Sequence, residues 1–173
     1  IRSISSTGTV PITNNEVTQD DLDAVLEFAS AITIPGDQKI IHRIPQEYII
    51  DNQDGIRVPI GMSGNKLESR VHIVTGAVNA IENIVKCIKK CGRSVQDLVL
   101  EQIASNESVL TSDEKELGVC LIDIGGGTSD IAVFSNASLE FTSSIAIGGD
   151  QVTNDISVAL KTSRSNADEI KKF

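Results

Sequence analysis

Tryptophan is absent from this chain, and aromatic residues make up 3% of it, one Tyr and four Phe. So few rings leave single-stranded nucleic acid no stacking platform. Positive charge is also scarce: 15 Lys and Arg stand against 24 Asp and Glu, giving a net charge of −9. A surface for the phosphate backbone needs the opposite balance, so nucleic acid is not expected as a partner. No run of about 18 apolar residues exists, so no segment reads as a membrane-spanning helix. A charged start leading into a short apolar core is missing too, so nothing reads as a secretory signal. The three cysteines, Cys87, Cys91 and Cys120, show no Cys-x-x-Cys spacing and no His at ligand spacing. That argues against a disulfide frame and a zinc site. Cys87 and Cys91 lie four apart on a predicted helix and are expected to be small packing residues. A reducing cytosol is the simplest setting. The chain also lacks an initiator Met: Ile1 falls inside a strand pattern, and the last helix pattern, Asn166 to Phe173, stops after about two turns. A piece of a longer protein is expected.

What is present is ordinary globular material, 40% hydrophobic. Ile1 to Ile12 predicts an edge strand with a turn at Gly8. Thr18 precedes a helix in which Leu22, Val25, Leu26 and Ala29 form one buried face, and Asp20, Asp21 and Asp23 suit the dipole at its start. Lys39–Ile44 and Tyr48–Asp51 read as strand interrupted at Pro45, with His42 on a strand face in a structural role. A turn at Asn52–Gly55 and a Gly- and Pro-containing loop, Ile56 to Asn65, lead to a half-buried strand. There Leu67, Val71 and Ile73 alternate with Glu68, Arg70 and His72. The first part thus reads strand, helix, strand, strand.

Then the pattern changes. Ala77 to Cys91 predicts a helix with Ala77, Ile81, Ile84, Val85 and Ile88 inward, Lys86, Lys89 and Lys90 outward, and Gly92 as its stop. Asp97 to Glu101 predicts a short buried strand, Ile103 to Leu110 a helix, and Thr111 to Glu116 an acidic connection. Alternating strands and helices predict a parallel sheet with helices packed on it.

The stretch Gly118 to Phe134 carries the chemistry. Val119 to Ile124 is apolar on both faces, which predicts a central strand covered on both sides. Asp123 breaks it, and an unpaired carboxylate there would cost several kcal/mol, so a cation or donors should meet it. Gly125, Gly126 and Gly127 can take φ > 0, and their N–H groups can converge on an anion, with the Thr128 and Ser129 hydroxyls beside them. A carboxylate for Mg²⁺ next to an amide cradle is what a nucleoside triphosphate needs. The same residues also fit a plain hairpin turn. No Gly-Lys-Ser/Thr follows and no helix opens here, so neither a Walker loop nor a dinucleotide fingerprint is present. Downstream, Leu139, Phe141, Ile145 and Ile147 alternate as a third strand. Gly148-Gly149 follows, with Asp150 as N-cap of a helix through Val152, Ile156, Ala159 and Leu160. That diglycine can approach phosphate or merely serve the cap. Ser165 is the expected cap of the last helix, with Asp168 and Glu169 in its first turn.

Asp123-Ile-Gly-Gly-Gly-Thr-Ser-Asp130 resembles the second phosphate motif of the actin, Hsp70 and sugar-kinase ATPase superfamily. Three further stretches are His42-Arg-Ile-Pro-Gln-Glu-Tyr-Ile-Ile-Asp51, Gly55-Ile-Arg-Val-Pro-Ile-Gly-Met-Ser-Gly64 and Leu67 to Gly76. With Glu116 to Gly127, they make the chain similar to the FtsA family of actin-like bacterial cell-division proteins. The resemblance implies an α/β, actin-like (ribonuclease H-like) ATPase fragment with an inserted strand-helix-strand-strand subdomain. Residues 1–74 would be that insert (1C), 75–116 the remainder of the first lobe (1A) and 117–173 the start of the second (2A). It implies ATP and Mg²⁺ as cofactors. Asp123 would hold Mg²⁺ through water, and Gly125, Gly126, Gly127, Thr128, Gly148 and Gly149 would meet the phosphates. Glu101 would position the attacking water, unless it only ends a strand. The family's first phosphate loop would lie upstream, and its adenosine-binding residues and membrane-anchoring helix downstream. A weak ATPase at most is implied for the whole protein, and weak or no nucleotide binding for this stretch alone. Implied partners are further copies in a filament, FtsZ and later division proteins, at the inner face of the membrane. A pilus-assembly relative, a chaperone or kinase of the superfamily, and an interaction module with an idle hairpin are the alternatives.

Overall fold

The computed structural model describes residues 1–172 and contains two antiparallel sheets. The first sheet has four strands in the order β1-β4-β2-β3: β1 (Arg2–Pro11), β2 (Gln38–Ile50), β3 (Gln53–Ile56) and β4 (Lys66–Ala77). Helix α1 (Gln19–Ser30) crosses this sheet. It starts in a capping box: the Asp21 backbone N–H donates to Thr18 Oγ1, and the Thr18 N–H donates back to the Asp21 carboxylate. Its buried stripe of Leu22, Val25 and Ala29 is the one read from the spacing. Leu22 and Val25 join Val17, Ile50 and Leu67 in one apolar cluster. Each fully buried aliphatic side chain there stabilises the fold by about 1.5–3 kcal/mol.

Three local expectations change. Gly8 is not a turn; it sits mid-strand in β1, paired with Ser69, where α1 passes closest. A Cβ on Gly8 would lie 2.4 Å from the carbonyl oxygen of Val25, so the residue admits the helix backbone. Pro45 does not interrupt β2, because β3 pairs only with Tyr48 and Ile50 and a register shift follows Pro45 against β4. Pro45 stands opposite Val71 of β4, just before the irregularity, and no β3 residue pairs with it to call for an N–H. Strand β4 is not half-buried: Val71 to Gly76 are buried without a break. One face meets α1, while His72 on the other meets the second sheet.

Helix α2 (Val78–Lys90) ends at Cys91, and Gly92 follows at φ +71°. Of the expected inward residues only Ile81 is buried; Ile84 is exposed, and so are all three cysteines. Among the described residues no element covers this face. Residues 97–100 form no strand for the same reason: no neighbour offers a ladder, and Leu100 instead donates its N–H to His42 Nε2 at 2.9 Å. Helices α3 (Glu101–Val109) and α4 (Ser112–Leu117) follow, so the acidic connection is helical, with Thr111 and Glu114 forming a second capping box.

The second sheet is a meander of β5 (Val119–Ile124), β6 (Ser129–Ser135) and β7 (Ser138–Ile145) in the order β5-β6-β7. The expected parallel sheet is not formed; every strand pair here is antiparallel. Nor is β5 central. It is an edge strand whose exposed residues, Cys120, Ile122 and Ile124, lie on one face. Helices α5 (Gly149–Leu160) and α6 (Arg164–Lys171) close the chain, with Gly148 and Ser163 as their N-caps rather than Asp150 and Ser165.

Candidate functional site

Strands β5 and β6 pair in full register, Ile124 opposite Ser129 and Asp123 opposite Asp130. The four residues between them, Gly125 to Thr128, close with a bond from the Gly125 N–H to the Thr128 carbonyl at 2.9 Å. None of Gly125, Gly126 and Gly127 has a positive φ, so left-handed backbone is not why glycine stands there. The reason lies partly in what approaches. The N–H of Gly149 donates to the carbonyl of Gly125 at 2.9 Å, and that of Asp150 to the carbonyl of Gly126 at 2.7 Å. The hairpin thus satisfies the first-turn donors of α5 with its own carbonyls. A Cβ on Gly148 would stand 2.6 Å from both of those oxygens, so this residue has to be glycine.

The two glycine turns, far apart in the sequence, therefore form one structure. The contact decides which donors remain. Gly149 has spent its N–H; those of Gly126 and Gly127 have no acceptor among the described residues. They border a cavity of about 220 Å³ whose other walls include Gly148, Asp150, Asn154 and Arg164. No atom would lie within 4 Å of a Cβ on Gly127, so the approach to these N–H groups is open. The Thr128 hydroxyl points elsewhere, donating to Asp130 Oδ2 at 3.3 Å. The Ser129 hydroxyl donates to the Ile147 carbonyl at 2.7 Å and ties β6 to the end of β7.

Asp123 is half-buried, not enclosed, and no donor meets its carboxylate among the described residues. What the sequence reading missed is its cross-strand neighbour. Asp130 stands directly opposite, and like charges in that position repel unless a cation lies nearby. The register that pairs them is visible only once the hairpin length is fixed. Glu101 is exposed at the start of α3 and does not line the glycine cavity. Its helix packs on the same sheet through Ile103, beside Leu121.

A larger cavity, about 580 Å³, lies between the two sheets, away from the glycines. Its two cations are already paired: Arg70 with Glu47, and Arg57 with Glu116 through contacts of 2.7 and 2.8 Å. Burial, and then the neighbouring Glu47, push the Glu140 carboxyl up, with Arg70 opposing. The glycine cavity has two backbone N–H groups without acceptors on its wall, whereas both cations of the larger cavity are already held in ion pairs, so the former is the candidate site.

The family model described as "SHS2 domain inserted in FTSA" matches residues 1–75, and the one described as "Cell division protein FtsA" matches 120–173. Over 171 residues the chain is 56% identical to the cell division protein FtsA of Pseudomonas aeruginosa, and 53% to that of Neisseria meningitidis. The chain belongs to the FtsA family. It is also 45% identical, over 164 residues, to FtsA of Escherichia coli K12. The match covers 99% of this chain and 41% of the Pseudomonas FtsA, so the chain spans well under half of that relative. Among solved structures, the PilM-PilN type IV pilus biogenesis complex contains a chain of similar fold. Its TM-score is 0.63 at 14% identity, over 98% of this chain and 47% of that one. That likeness is one of fold, the actin-like fold expected above, and the pilus-assembly alternative is not favoured beside the FtsA matches.

Proposed function

We propose that this chain carries one wall of a Mg²⁺–ATP site in an actin-like cell-division protein. The observation that supports this best is the joining of the two glycine turns beside the Asp123–Asp130 pair. The N–H groups of Gly126 and Gly127 would meet phosphate oxygens, and Asp123, with Asp130 opposite it, would hold Mg²⁺ through water. Gly125 and Gly149 shape the cradle and do not donate to it, since their N–H groups are bonded internally, whereas the Gly148 N–H, like those of Gly126 and Gly127, has no acceptor among the described residues. Thr128 can lend its hydroxyl by leaving Asp130. Glu101, at the start of α3 and outside the cavity lining, would be the residue that orients a water. When bound, Mg²⁺–ATP supplies a phosphoanhydride; the residues here bind its tail and exclude nothing by chemistry of their own.

In this reading residues 1–74 are the inserted subdomain, 75–116 belong to the first lobe and 117–173 begin the second. Self-assembly into filaments, contact with FtsZ and later division proteins, and a position at the inner membrane face would belong to the whole protein. Calorimetry with the full-length protein is the test. Asp123→Ala should abolish Mg²⁺–ATP binding, and unchanged affinity would count against the reading. Residues 1–173 alone should bind ATP weakly or not at all; micromolar affinity would refute the idea that only one wall is present.

A further inference from the structure

Arg164, the first residue of α6, is the single cation bordering the cavity among the described residues. Its guanidinium lies 3.4 Å from Asp150 Oδ1, and the other Asp150 oxygen would be 3.9 Å from a Cβ on Gly126. Asp150 thus brings a negative charge to the mouth of a cradle suited to anions, which weakens any anion bound there unless a cation offsets it. Lys171 cannot do so, because it is held by the Gly149 carbonyl, the Thr153 hydroxyl and Asp168.

The Arg164–Asp150 pair is loose. A single contact of 3.4 Å exceeds the roughly 2.7–2.9 Å of a charge-assisted hydrogen bond. Arg57, by comparison, grips Glu116 with two short bonds. Both side chains of the loose pair are about two-thirds exposed, 63% and 64%, so neither is locked by packing. A guanidinium has five N–H donors, and this contact engages one edge of it.

We propose that Arg164 is a phosphate-binding residue that exchanges Asp150 for the charged tail of a nucleotide, so that the pair sets the preference for phosphorylated ligands. The proposal rests on the nucleotide reading above and adds a residue and a charge rule to it. Asp150 lowers affinity for the tail by competing for Arg164.

The test is calorimetric titration of the full-length protein with ATP, ADP and adenosine, with Tm followed for each variant. Arg164→Ala should weaken ATP and ADP by about tenfold and leave adenosine unchanged. Asp150→Asn should tighten ATP by roughly threefold, because it frees Arg164 and removes a repulsive charge. Equal ATP affinity for wild type and Arg164→Ala would overturn the proposal. So would an Arg164→Ala loss shared equally by adenosine, or an Asp150→Asn protein that binds ATP more weakly at unchanged Tm. If the wild type binds none of the three ligands, the nucleotide reading fails first; if it binds them and the variants do not separate, only this inference falls.

Discussion

His72 Nε2 lies 3.0 Å from Thr142 Oγ1, and this buried contact joins the two sheets. The His72 Nδ1 atom has no partner among the described residues. Ser3 Oγ and Gln46 Nε2 add bonds from the first sheet to the carbonyls of Thr142 and Leu139. The inserted domain is thus fastened to β7, the strand that runs on towards Gly148.

Thr142→Val should leave both ring nitrogens of His72 without partners, at a cost of about 1–3 kcal/mol. The double variant His72→Leu/Thr142→Val should be more stable than the sum of the single losses predicts. Urea unfolding of the four proteins checks this, and strict additivity would mean that the contact contributes nothing.

Stability should fall as pH drops below neutrality. Burial lowers the pKa of His72, and of His42 with Asp97 partly opposing. A folded-state pKa below the unfolded value near 6.5 means that the unfolded chain binds more protons. The stabilisation is therefore complete above the unfolded pKa and is lost as pH falls through the folded one. His42 adds to this because a protonated Nε2 can no longer accept the Leu100 N–H. Glu140 runs the other way: its raised pKa stabilises the fold at low pH, an effect lost as pH rises. Circular-dichroism melts from pH 8 to 5 should show Tm dropping across the histidine range, and less steeply in His72→Leu.

Gly148→Ala and Gly127→Ala should separate folding from binding. The first puts a methyl group 2.6 Å from two backbone oxygens, so the hairpin or α5 must shift, costing about 1–3 kcal/mol. The second meets open space and a φ that is not positive, so Tm should hardly move. Its methyl group would nevertheless stand at the mouth of the cradle and weaken ATP binding to the full-length protein. Thermal melts and calorimetry on the two variants decide the matter.

Gly8→Ala should be among the most damaging single changes in the insert. The new Cβ would sit 2.4 Å from the Val25 carbonyl oxygen and 2.7 Å from the Ala29 nitrogen, both backbone atoms of α1. Helix and sheet would have to part, at a cost of about 2–3 kcal/mol. A Tm within a degree of the wild type would show that α1 crosses elsewhere.

Local pattern carried the elements well. The stripe of Leu22, Val25 and Ala29, the edge position of β1, the stop at Gly92 and the hairpin at Gly125 to Thr128 were all legible, because each depends on neighbours within a turn or two. The errors share one cause. Apolar runs at Val119–Ile124 and Leu98–Leu100 report a capacity for burial and not what fills it, so β5 is an edge and the second run forms no strand. His72 read as solvent-facing because strand alternation says nothing about a second sheet on the polar face.

The candidate site divides along the same line. Residue identity alone placed two glycine turns, an acidic residue at a strand end and a threonine in one chain, since a motif is a matter of order along the backbone. Which N–H groups stay free, which glycine a methyl group would exclude, and that Asp123 faces Asp130 while Asp150 meets Arg164 were decided by the tertiary structure. Hydrogen bonds and charge pairs between distant segments depend on distance in space, and only the packed chain sets that distance.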